Sequence, residues 1–191
     1  MTCDPPRVRL HAPEHFVQFY RSDFDVIERV ARRAATALRN GSASVIVATP
    51  EHRTRIEARL ANLGVVLDSA RASGMHVALD AAETLARFMV DGMPDDATFN
   101  TVIGDIVSRA ADRSAGGHVS LFGEMVALLC ASDNAPAAVR LERMWNELAA
   151  RFSFSLFCAY PLELFAHDFD GNTLLAVCAE HDLSIPAENT W

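Results

Sequence analysis

Apolar positions along this chain fall into two patterns, short continuous runs and longer stretches with a 3.6-residue period, and segments of the two kinds alternate. Residues 15–20 (HFVQFY) combine aromatic and β-branched side chains and predict a short strand. Ser22 or Asp23 then caps a helix running to residue 39. It places Phe24, Ile27, Val30, Ala31, Ala34 and Leu38 on one face at a 3.6-residue period. Asn40-Gly41 closes it. Residues 44–49 (SVIVAT) form an unbroken apolar run, as suits a parallel strand covered on both faces. Pro50 fits the first turn of a helix to about residue 63, with Ile56, Leu60 and Leu63 inward and Gly64 ending it.

The second half continues the alternation. Residues 65–67 read as a short extended piece, 76–79 (HVAL) as a strand ending at Asp80, and 81–90 as a helix carrying Leu85, Phe88 and Met89. Residues 92–95 are a loop, and Asp95 or Asp96 caps a helix ending near Ser114. A strand at 118–122 leads through Gly123 into a helix from Glu124 to about residue 131. Asp133-Asn134 caps a helix over 136–152, with Val139, Leu141, Met144, Trp145 and Leu148 apolar. Residues 153–158 (SFSLFC) are a strand running into Ala159-Tyr160-Pro161. A short turn at 162–165, a helix at 172–180 and an extended tail complete the chain. Strands alternating with helices predict an α/β fold: three αβα layers around a mostly parallel sheet. Residues 1–10 form an irregular N-terminal segment, and 11–191 form one domain. There is no internal repeat.

Composition narrows the function. Half of the 191 residues are hydrophobic, enough for a substantial core, and the net charge is −8. Arg29, Arg32 and Arg33 are the one basic cluster and read as a solvated helix face, so direct nucleic-acid binding is not expected. The sequence contains no lysine, which removes Schiff-base chemistry and any phosphate-loop lysine. The first ten residues lack the apolar core of a signal peptide, and apolar runs such as residues 125–131 are too short to span a membrane. Cys3, Cys130, Cys158 and Cys178 form no C-x-x-C pair and read as reduced thiols, which points to the cytoplasm.

Several stretches resemble one family: His15-Phe16-Val17-Gln18-Phe19-Tyr20; residues 122–129 (FGEMVALL); residues 141–148 (LERMWNEL); Cys158-Ala159-Tyr160-Pro161; and His181 ahead of Ile185-Pro186. In this order and spacing they resemble the MEDS domain, the methanogen/methylotroph sensory domain of the dichloromethane-regulator type, over roughly residues 11–188. The resemblance implies a fold like that of RecA/KaiC-type ATPases and a sensory role in prokaryotic signal transduction. It also implies a small, hydrocarbon-derived ligand, and a signalling kinase, anti-sigma factor or transcription regulator as partner.

The chemistry of the sequence limits that picture. The stretch after SVIVAT, Pro50-Glu51-His52-Arg53-Thr54-Arg55, has neither the glycines nor the lysine of a phosphate cradle. The expectation is therefore a RecA/KaiC-like fold without a P-loop: a non-enzymatic module with no catalytic residues, cofactor or metal. Glu124 stands where ATPase relatives keep the acid at a strand end. It reads either as a helix-start carboxylate favoured by the macrodipole or as the polar anchor of a crevice. Cys178 and His181 have a spacing that offers two metal ligands from one helix face, and His11 and His15 are i, i+4, but neither pair has a second pair to complete a site. Glu142 and Glu147 read as a solvated helix face. Trp145, Phe122 and Tyr160 either line an apolar pocket or belong to the core. The candidate ligand site comprises Thr49, His52, Asp80, Phe122, Glu124 and Tyr160 at the carboxyl edge of the sheet. Two alternatives stand beside it: a nucleotide-binding ATPase relative, and a module that binds only proteins.

Overall fold

The computed structural model describes residues 15–166 and 171–187. Six parallel strands form its central sheet: β1 (His15–Tyr20), β2 (Ala43–Ala48), β3 (His76–Asp80), β6 (Val119–Gly123), β7 (Phe154–Pro161) and β8 (Leu183–Ile185), in the spatial order β3-β2-β6-β7-β1-β8. The central strands are buried on both faces, which explains their continuous apolar runs.

Alternation along each strand divides the core in two. On one face Val45, Val47, Leu121, Leu156 and Phe19 meet α4 (Ala81–Ala86), α5 (Asp96–Ala111), α6 (Met125–Ala131), α7 (Ala135–Ala149) and α8 (Asn172–Ala179). On the other, Ile46, Ala48, Phe122, Phe157, Phe16 and Tyr20 meet α1 (Asp23–Arg39) and α2 (Pro50–Asn62). The result is a three-layer αβα architecture.

Four expectations need correction. Phe24 is 66 % exposed and lies off the buried stripe of α1, which runs instead through Val26, Ile27, Val30 and Ala34. Residues 65–67 are not an extended strand, because Leu67 begins the short helix α3 (Leu67–Ala72). The helix expected over 81–90 stops at Ala86. A two-stranded hairpin follows, β4 (Met89–Val90) with β5 (Met93–Pro94). Its turn is Asp91-Gly92, with φ of 48° and 79°, the paired left-handed conformation that Asp-Gly favours between strands. Finally, β7 continues to Pro161, pairing Tyr160 with Phe19, so Tyr160 lies within a strand and not beyond its end.

The helices fix which strand ends open onto crevices. The chain after β2 turns to the α2 face, whereas the chain after its neighbour β6 turns to the α6 face. The same divergence occurs between β1, followed by α1, and β7, followed by a 3-10 turn (Leu162–Phe165) and α8. At such points the connections part and leave a crevice at the carboxyl ends of the strands.

Candidate functional sites

The β2/β6 divergence is filled by protein. Thr49 is the N-cap of α2, its hydroxyl accepting from the His52 backbone N–H at 3.4 Å. Glu124 stands at the start of α6 but makes no cap to its own helix. Its Oε2 accepts from the Thr49 backbone N–H at 2.8 Å, and its Oε1 meets His52 Nδ1 in a short hydrogen bond. The other ring nitrogen, His52 Nε2, lies 3.5 Å from Asp23 Oδ2, and Asp23 in turn pairs with Arg55 at 3.3 Å. Glu124 thus ties β6 to α2, and His52 carries the connection to α1. The hydrogen bond with Glu124 raises His52 above the ordinary imidazole value, outweighing the opposite effect of burial. Burial pushes the Tyr20 phenol up, and the charges of Glu124 and Asp23 add to it.

The β1/β7 divergence is open. A cleft of about 620 Å³ is lined by Tyr20, Arg21, Asp23, Leu162, Glu163 and Phe165. Asp23 therefore belongs both to this cleft and to the buried chain Glu124–His52.

A second polar cluster lies beneath α7, on the other face. Trp145 fixes that helix, meeting Phe99 and Phe154 edge-to-face with ring centroids 5.3 and 6.0 Å away; each such pair contributes about 0.5–1.5 kcal/mol beyond burial. Glu142, one turn earlier on the same side, is carried inward and is fully buried, whereas Glu147 stays exposed. The expectation of a solvated Glu142 is overturned: it lies on the stripe of Ala138, Leu141 and Trp145. Its Oε1 accepts from the Tyr160 hydroxyl at 2.7 Å. Its Oε2 accepts from the Cys158 thiol at 3.4 Å and lies 3.2 Å from His15 Nε2. His181 Nε2 is 3.5 Å from Oε1.

Burial opposes charge on Glu142, but the hydrogen bond with His15 outweighs it, and the carboxyl is held below its ordinary value. Burial likewise disfavours the His15 cation, and again the bond to Glu142 wins, leaving His15 raised. For His181 burial prevails and holds it low. Burial, with Glu142 beside them, pushes Cys158 and Tyr160 well up, so both stay protonated.

Measured against the six expected ligand residues, the structure unites Thr49, His52 and Glu124. Asp80 shares their edge but serves as the N-cap of α4, accepting from the Glu83 N–H at 2.9 Å, with Arg53 4.0 Å away. Phe122 and Tyr160 do not join them. Phe122 pairs in register with Phe157 and faces α1 and α2, whereas Tyr160, three residues past Phe157, faces α7. The sheet separates the two rings, so no single pocket contains Phe122, Trp145 and Tyr160. Sequence reasoning missed Asp23, whose charge was used only as a helix cap, and Tyr20. Cys178 packs at the edge of the core, and His181 turns instead toward Glu142; His11 lies outside the described residues.

Residues 14–182 match the family model described as "MEDS: MEthanogen/methylotroph, DcmR Sensory domain". The chain belongs to the MEDS family. Comparisons with curated proteins and with solved structures found no match. The matched span of this MEDS domain runs from before His15 to beyond His181, so it contains both polar clusters and the cleft. MEDS is a sensory domain family, which gives the chain a sensory role. Among the described residues, no helix of this MEDS domain is long and apolar enough to cross a membrane.

Proposed function

We propose that this MEDS domain is a non-enzymatic sensor whose small-molecule ligand sits in the cleft between the carboxyl ends of β1 and β7. The observation that carries the reading is that Asp23 lines this cleft and also faces His52, the partner of buried Glu124. A volume of about 620 Å³ suits a small ligand. Leu162, Leu174 and Phe165 offer an apolar wall, and the acceptors Asp23 and Glu163 outnumber the one cation of the lining, Arg21. That chemistry favours a compact molecule with an apolar body and a donor head, such as a short alcohol or amine, in keeping with a hydrocarbon-derived ligand. A donor on Asp23 competes with His52 for the carboxylate and so changes how α1, α2 and β6 are tied. A signalling kinase, anti-sigma factor or transcription regulator then reads the shifted equilibrium.

The reading also favours a degenerate RecA/KaiC-like module over a nucleotide hydrolase. The first strand of the sheet is β1, and Arg21-Ser22, which joins it to α1, has no more of a phosphate cradle than the stretch after β2. The test is a titration of ¹⁵N-labelled protein with methanol, methylamine and butylamine. Saturable shifts at Tyr20, Asp23, His52, Leu162 and Phe165 are expected for at least one of them. Absence of saturation there, or saturable binding of ATP with magnesium instead, rejects the proposal.

A further inference from the structure

The cluster under α7 has a second use beyond satisfying its own charges. Among the described residues, His15, Glu142, Cys158 and His181 are the one group of three or more possible ligands arranged to hold a metal ion, and one donor atom from each lies within 4.8 Å of all the others. Four separations within it are 3.2 Å (His15 Nε2 to Glu142 Oε2), 3.5 Å (His15 Nε2 to Cys158 Sγ), 3.4 Å (Cys158 Sγ to Glu142 Oε2) and 3.5 Å (His181 Nε2 to Glu142 Oε1). Tetrahedral zinc, with bonds of about 2.0–2.3 Å, requires donor–donor edges of about 3.3–3.8 Å. His15 Nε2, Cys158 Sγ and Glu142 Oε2 thus form a triangle near that spacing, and His181 Nε2 approaches it from the side of the other carboxylate oxygen, within 4.8 Å of the remaining donors.

The far side of each histidine decides the matter. His181 Nδ1 donates to the Val177 carbonyl at 2.7 Å, which in the neutral ring leaves a lone pair on Nε2. That Nε2 belongs to a side chain with 0 % exposure, aims at the cluster and has no hydrogen-bond partner. His15 Nδ1 donates to Asn146 Oδ1 at 2.7 Å, turning its Nε2 to the same centre. Tyr160 steadies Glu142 from behind. Oxygen acceptors behind both imidazoles and a donor behind the carboxylate are the outer contacts that orient metal ligands.

We propose that His15, His181, Glu142 and Cys158 bind one divalent transition-metal ion, with zinc favoured by the mixed N₂OS donor set. The proton on the Cys158 thiol and any proton on His15 Nε2 leave to solvent as the bonds form. The ion's two positive charges then offset the carboxylate and the thiolate, so the buried site is neutral. Four protein ligands leave no open position, which makes the site structural. It joins β1, β7, α7 and the segment after α8, clamping the C-terminal arm onto the sheet. It shares no residue with the cleft, so its test is independent of the sensory reading.

The experiment uses the full chain, purified without a histidine tag and kept reduced. Zinc content is measured, and the metal-free protein is titrated with cobalt(II). Expected are one zinc per chain and a cobalt spectrum with a thiolate charge-transfer band and tetrahedral d–d bands, both displaced by zinc. Cys158→Ser abolishes the charge-transfer band, and His181→Ala lowers zinc occupancy. Tyr160→Phe, which removes a contact behind a ligand, weakens cobalt binding by about 10–100-fold. His118→Ala, outside the cluster, changes nothing. Zinc also slows hydrogen exchange in residues 172–185. A folded wild-type chain with no retained zinc and no cobalt bands overturns the proposal, as does a charge-transfer band that survives Cys158→Ser. The wild-type titration decides the matter even if a variant fails to fold.

Discussion

Two glutamates in this molecule are almost equally buried, Glu124 at 4 % and Glu142 at 0 % exposure, and each holds a histidine. They differ in where their partners come from. Glu124 is bound by Thr49 and His52, three residues apart at the start of one helix, and His52 leads on to Asp23, whose side chain is 47 % exposed. The chain of contacts ends at an open cleft. Glu142 gathers His15, the β7 pair Cys158 and Tyr160, and His181 from three places in the sequence, and none of the four lines the cleft, although the Tyr160 ring packs on Phe165 of its wall. The first arrangement can be altered from outside without dismantling the core. The second holds distant segments in place and yields only if they separate.

The largest effect therefore belongs to Glu142. In the metal-free chain Glu142→Ala removes the acceptor for Tyr160 and Cys158 and leaves His15 without its counter-charge. Breaking one side of a buried pair costs about 3–5 kcal/mol, and urea unfolding followed by circular dichroism measures it. A loss below 1 kcal/mol would mean that the cluster opens to water and that the contrast with Glu124 is wrong. Glu124→Ala leaves the Thr49 N–H and His52 Nδ1 without a partner, while His52 Nε2 keeps Asp23. Its cost is smaller, about 1–3 kcal/mol, because water reaches this edge more easily.

How visible each region is from sequence follows the same division. The strands and long helices are legible because burial on both faces makes the central strands continuous apolar runs and burial on one face gives the helices a 3.6-residue period. The Glu124 region is legible because strand, Gly123, acid and helix are contiguous, and Thr49 and His52 follow another strand directly. Asp23 is hidden because an acid next to Ser22 already has a reason to be there as a helix start. The Glu142 cluster is hidden for a different reason. One helix shows only an acid among apolar residues, one strand a lone cysteine, and the termini one histidine each. Tertiary packing alone brings them together, although all four stand in stretches that carry the family resemblance. Glu142 could have been found: Ala138 at i−4, Leu141 at i−1 and Trp145 at i+3 place it on the buried stripe of α7.

The third effect is a pH dependence confined to the edge. His52 is raised in the folded chain, so folding favours its protonated form. Its contribution to stability is complete below the unfolded value of 6.5 and fades as pH rises through the higher folded value. His15 acts in the same direction, and His76 and His181 in the opposite one, so total stability does not isolate His52. The difference between wild type and His52→Gln does. That difference shrinks as pH rises from below 6.5 through the higher folded value, and in a Glu124→Gln background it becomes nearly flat. A difference that grows with pH would show that burial, not Glu124, governs His52.

The smallest effect on stability and the sharpest on the comparison comes from Asp23→Asn. Asp23 is half exposed, and its contacts with His52 and Arg55 span 3.5 and 3.3 Å. Partly solvated pairs of this kind contribute about 0–1 kcal/mol, so the urea midpoint barely moves. His52 nevertheless loses one of the two acids that hold it protonated, because Asp23 adds to the larger effect of Glu124. Its titration, followed through the imidazole proton resonances, shifts to lower pH without collapsing to the ordinary value. His15 and His181, across the sheet, titrate as before. A change at all three histidines would mean that the edge and the interior cluster are one network. A change at His52 alone, with fold stability kept, shows the cleft reaching the buried Glu124 through a single exposed carboxylate.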